Sequence, residues 1–90
     1  MQITINGKRW QLVRSRLKND DGQCDPPDWP NKAIRIDKRL KGLHKLDTEI
    51  HEMLHAGQWN LDEEFVEKLA GDIARALYRM GYRDSETESG

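Results

Sequence analysis

His51, Glu52 and His55 stand out because the spacing His-Glu-x-x-His can assemble a metal site and its general base within one turn of helix. Residues four apart lie one above the other on a helix, so both imidazoles can reach a single Zn²⁺ while the glutamate between them points toward its open coordination position. The chemistry this predicts is peptide hydrolysis by a zinc-activated water. Glu52 takes the proton from that water and returns it to the leaving amine.

Such a triad needs a helix beneath it. Asp47 is a suitable N-cap for one ending near Gly57, with Leu46, Ile50, Met53 and Leu54 as its apolar stripe. The two histidines fall about 100° to 140° from the centre of that stripe, on its flank instead of in the core. A second, longer helix is expected from a cap at Asp62 to about Gly81, with Val66, Leu69, Ala70, Ile73, Leu77 and Met80 as its stripe.

Catalytic zinc ordinarily takes three protein ligands, and the acidic start of the second helix can supply the third. Measured from Val66, Glu63 lies about 60° away, Glu67 about 100° and Glu64 about 160°, so Glu63 is best placed to face the first helix. Glu64, Glu67 and Cys24 remain alternatives for the ligand.

The N-terminal third reads as β-structure. Gln2 to Ile5 and Lys8 to Val13 flank Asn6-Gly7, the pair favoured in two-residue type I′ hairpins, and this register sets Ile3 opposite Trp10. Ile5 and Leu12 share that face, giving the hairpin one apolar side. Residues 19 to 32 hold Asp20-Asp21-Gly22 and three prolines and are expected to form a loop. Ala33, Ile34, Arg35 and Ile36 then alternate as a short strand at a sheet edge. The fold expected is α+β: an N-terminal β-hairpin and a short edge strand packed on two helices, in one domain over residues 1–83, followed by a polar flexible tail over 84–90.

With 90 residues the chain has room for one domain with a thin core, to which Trp10, Trp29 and Trp59 offer large burial units. Hydrophobic content of 36% against 34% charged residues fits a globular domain better than a disordered chain. No stretch is apolar and long enough to span a membrane, and one cysteine allows no internal disulfide, so a cytoplasmic protein is expected. The net charge of −1 hides an asymmetry: eleven Lys and Arg against five Asp and Glu before Asp47, four against eleven from there on. Lys32, Arg35, Lys38, Arg39, Lys41 and Lys45 concentrate the excess, which allows nucleic-acid association as a second reading. A third is a noncatalytic zinc protein in which the metal only stabilises a small core.

From about Ala33 to Tyr82 the order of strand, His-Glu-x-x-His helix and acidic second helix resembles the active-site subdomain of the zincin metallopeptidases, in particular gluzincins pared down as in small SprT-like and ImmA-like peptidases. The resemblance implies a peptidase. It also implies that Glu67, four residues after Glu63, hydrogen-bonds a ligand histidine, and that Ala33, Ile34, Arg35 and Ile36 hold an extended peptide substrate by backbone pairing. Peptide deformylases share the motif and use cysteine as third ligand, which is what makes Cys24 a rival to Glu63.

Overall fold

The computed structural model describes residues 1–84, apart from Asp84 leaving the expected tail outside the described residues. Its elements in chain order are β1 (Gln2–Ile5), β2 (Lys8–Ser15), β3 (Gly22–Cys24), β4 (Ala33–Asp37), α1 (Gly42–Gly57) and α2 (Glu63–Arg79). The fold is α+β, with one four-stranded mixed sheet in the order β1-β2-β4-β3.

The hairpin forms as its turn chemistry dictates. Asn6 and Gly7 both take positive φ (50° and 76°), the conformation of a type I′ turn, and Ile3 pairs with Trp10. Ile3, Ile5 and Leu12 pack around buried Trp10, together with Ile34, Ile36, Leu40 and Ala56. Trp29 and Trp59, by contrast, are half exposed. Both sit outside the regular elements, where no second layer covers them.

Two expectations about strands are corrected. Residues 22 to 24, expected as loop, form β3, which three residues among aspartates and prolines do not announce. Strand β4 is consequently not at an edge: it runs parallel to β2 on one side and antiparallel to β3 on the other. With both flanks of its backbone paired, Ala33, Ile34, Arg35 and Ile36 have no free ladder to offer a substrate. Ile34 and Ile36 are fully buried in the core, and the Arg35 guanidinium is bound by Asp25.

Helix α1 packs against β1, β3 and β4 on one side and against α2 on the other. It starts at Gly42, five residues before the expected Asp47 cap. Lys41 at the N-cap position makes no side-chain capping bond, so no capping signal marks the true start. Lys45, one of the residues that concentrate the basic excess, is buried in an ion pair with Asp84. Helix α2 does begin where its cap predicts: the Asp62 carboxylate accepts from the Phe65 amide at 2.9 Å. Its buried face comprises Val66, Ala70, Gly71 and Ala74, and Met80, expected in the stripe, caps the helix in solvent. Small residues on this face allow α2 to lie close to α1.

Three carboxylate contacts neutralise much of the basic stretch: Arg35 pairs with Asp25, Arg39 with Asp37, and Lys45 with Asp84. Asp37 is buried and accepts from the Leu17 and Arg39 amides as well as from the Arg39 guanidinium. That guanidinium and the amide bonds hold its carboxyl well below the usual range despite burial. Asp37 therefore locks the β2–β3 connection to the end of β4. Among the described residues, no helix is long and apolar enough to cross a membrane.

Candidate metal centre

The middle and end of α1 carry His51, Glu52 and His55, and a short turn delivers Glu63 at the first position of α2. The Gln58 amide closes α1 on the Leu54 carbonyl, and the Leu61 amide then turns back to the Gln58 carbonyl. Asp62 caps α2 immediately afterwards, so the reversal leaves Glu63 facing the two imidazoles.

Glu63 Oε1 accepts from His51 Nε2 at 2.8 Å, and Glu63 Oε2 accepts from His55 Nε2 at 2.9 Å. The rings lie 5.1 Å apart between centroids, inclined at 60°. One ligand-type atom from each of His51, His55 and Glu63 falls within 4.8 Å of the other two. Two imidazole nitrogens and a carboxylate oxygen so gathered fit a divalent metal with a position left open, since ligand bonds of roughly 2.0–2.2 Å need only a modest adjustment of the group. The histidines are largely shielded, whereas Glu63 is 71% exposed.

Comparison with known protein families, curated proteins and solved structures finds no match.

Glu52 stands on the wall between sheet and helix. Burial pushes its carboxyl up, the two imidazoles oppose this, and Glu63 and Asp20 push up again. A raised carboxyl is the better proton acceptor at neutral pH, which suits a general base. Its neighbour across the wall is Gly22: a β-carbon there would lie 2.9 Å from Glu52 Cγ and 2.8 Å from Thr48 Cγ2. Glycine is what lets β3 approach the helix this closely.

Other expected participants divide clearly. Glu67 lines the same cavity as His51 and Glu52 but makes no hydrogen bond to either imidazole among the described residues. Glu64 is turned toward Lys68, at 3.1 Å, one helical turn on. Cys24 is not one of the three clustered ligands; it lines a cavity with Glu52, His55 and Glu63, and burial first, then Glu52 and Asp25, push its thiol up to about 12. His44 lies seven residues before His51, about 10 Å along the helix axis, and is held by Asp21 at 2.8 Å.

What residue-by-residue reading missed is the edge of the sheet beside Glu52. The Asp37 amide donates to Asp21 O and the Asp25 amide to Ala33 O, so the odd-numbered positions of β3 face β4. The N–H and C=O groups of Gly22 and Cys24 consequently point away from the sheet, along the cleft that Glu52 borders. The only signal in the sequence was a glycine and a cysteine two apart, too short a run to register as a strand.

Proposed function

We propose that this protein is a zinc-dependent metallopeptidase that hydrolyses peptide bonds. The observation that carries the reading is the convergence of His51, His55 and Glu63 next to the half-buried carboxylate of Glu52. A structural metal staple has no use for a second carboxylate, Glu52, that lines the same cavity as His55 and Glu63 without joining the three-residue group.

In this mechanism His51, His55 and Glu63 would hold the metal, which would supply Lewis-acid polarisation and a more acidic water. Glu52 would take at its carboxylate a proton from the attacking water and return it to the leaving amine. The substrate backbone pairs with the free amide and carbonyl groups of Gly22 and Cys24, adding a strand to the sheet at β3 and laying the scissile bond along Glu52. Cytoplasmic location belongs to the same proposal, supported by a single, half-buried thiol at Cys24. Nucleic-acid association is weakened by the ion pairs that engage Arg35, Arg39 and Lys45.

Zinc content by elemental analysis of wild type, His55→Ala and Glu63→Ala tests the site, and peptide hydrolysis by wild type and Glu52→Gln tests the chemistry. One equivalent of zinc lost in both ligand variants, with hydrolysis abolished in Glu52→Gln while its zinc is retained, is the expected pattern. Zinc bound with no hydrolysis of any peptide would leave a metal-stabilised protein in place of an enzyme. No zinc in the wild type would remove both.

A further inference from the structure

The cleft around Glu52 has two unlike sides, and the difference bears on which peptides fit. On one side a cavity of about 330 Å³ is walled by Cys24, Trp59 and Leu61 and floored by Glu52, His55 and Glu63. That size lies at the lower end of small-ligand sites, roughly 300–1,000 Å³. On the other side, a second cavity carries the carboxylates of Asp20, Asp21, Asp47 and Glu67 beside Glu52, with no Lys or Arg among its described lining residues.

Resting on the peptidase reading above, we propose that the protein selects peptides carrying a large apolar side chain next to the scissile bond, held against Trp59, Leu61 and Cys24. The cavity is continuous with the metal ligands through His55 and Glu63, so a side chain in it belongs to a residue at or beside the bond being cut. Its polar walls are the groups already committed to metal and proton transfer. What remains for the substrate is the indole of Trp59, the Leu61 side chain and a thiol that stays protonated.

The turn explains how these groups come to face the cleft. The Leu61 amide bonds back to Gln58 O, which puts Trp59 at the first corner of a tight reversal and Leu61 at its end. Trp59 is 45% exposed, an apolar surface that a bound leucine or phenylalanine side chain would cover. The opposite side disfavours aspartate or glutamate across the cut, because its carboxylates, Asp20, Asp21, Asp47, Glu52 and Glu67, outnumber the histidines His44 and His51 that share it. The substrate class is therefore a peptide with an apolar residue at the cut and no acid on its far side.

Two measurements on the zinc-loaded full chain test this. The first profiles cleavage of a mixed peptide library by wild type, Trp59→Ala and Trp59→Phe; the second measures binding of labelled leucine-, alanine- and aspartate-containing peptides to Glu52→Gln and to Glu52→Gln combined with Trp59→Ala. Cuts should cluster beside Leu, Phe and Met. The leucine-over-alanine ratio in kcat/KM should fall roughly tenfold in Trp59→Ala and recover in Trp59→Phe. Cleavage without apolar preference, or a ratio indifferent to Trp59, would overturn the inference and leave the peptidase reading standing. If nothing is cleaved, yet the Glu52→Gln protein prefers the leucine peptide in a Trp59-dependent way, the cavity's selectivity survives and the peptidase reading falls. Neither cleavage nor preferential binding overturns both.

Discussion

Gly22 and Glu52 meet where strand β3 crosses helix α1, so closely that a β-carbon on Gly22 would sit 2.9 Å from Glu52 Cγ and 3.1 Å from Oε2. Substituting Gly22→Ala should force Glu52 and buried Thr48 to shift, at about 1–3 kcal/mol in stability. The metal ligands lie on other side chains and should persist. The expected outcome is a zinc-loaded protein whose peptide hydrolysis drops by at least roughly tenfold, since small displacements at a reacting group are expensive. Zinc stoichiometry measured beside kcat/KM checks it, and loss of zinc in step with activity would contradict it.

Glu63 should matter to metal affinity far more than its acidic neighbours. Its two oxygens meet both histidines, whereas Glu64 pairs with Lys68 and Glu67 makes no hydrogen bond to either ring among the described residues. Zinc affinity measured by competition with a chelator should weaken in Glu63→Ala by more than the roughly 10–100-fold typical of an outer hydrogen-bond partner. Glu64→Ala and Glu67→Gln should bind zinc as the wild type does.

Acid should unfold the protein partly through Asp37. Its carboxyl is held below the ordinary 3.8 by the Arg39 guanidinium and by the Arg39 and Leu17 amides, so folding binds it in the charged form. Stability from this group is present above the unfolded value and is lost as pH falls toward the depressed folded one. Urea midpoints should therefore differ between wild type and Asp37→Asn at pH 7 and converge as the pH drops below about 4. A gap that stays constant over that interval would show that Asp37 contributes nothing through its charge.

Cys24 should be inert in the folded protein. With the thiol pushed up to about 12 by burial and by the nearby Glu52 and Asp25 carboxylates, the reactive thiolate is scarce at pH 8. Alkylation followed by mass spectrometry should be slow in buffer and fast in denaturant. Cys24→Ser should leave zinc content unchanged, because the sulfur stands outside the ligand cluster; zinc loss in that variant would restore cysteine as a ligand.

Local signals were legible in the sequence and pairings between distant segments were not. The Asn6-Gly7 turn, the Asp62 cap and the four-residue histidine spacing each act within a few residues, and each is realised in the structure. Helical angle also sufficed to place Glu63, and not Glu64, beside the two histidines, because the reversal between the helices is short. The start of α1 was misplaced since Lys41 provides no cap, and burial of Lys45 depends on Asp84, which lies beyond the end of the other helix. Strand β3 was invisible for a related reason. Its existence depends on a ladder to β4 built from residues about ten positions away, with Asp25 binding the Ala33 amide and the Arg35 guanidinium to hold the loop shut.

On the proposed metallopeptidase reading, the short turn between α1 and α2 separates loading from turnover. His51 and Glu63 are 12 residues apart in the chain, and the helical hairpin that joins them closes a small loop at little entropic cost. The contact that confines Glu52 spans thirty residues and requires the sheet to be in place. Local closures form faster than distant ones, so on the proposed metallopeptidase reading the group of His51, His55 and Glu63 is expected to assemble during folding before the contact that confines Glu52. A chain that has captured its ion with the strands still unpaired would be charged but idle, and hydrolytic competence would arrive only with the last layer of the fold.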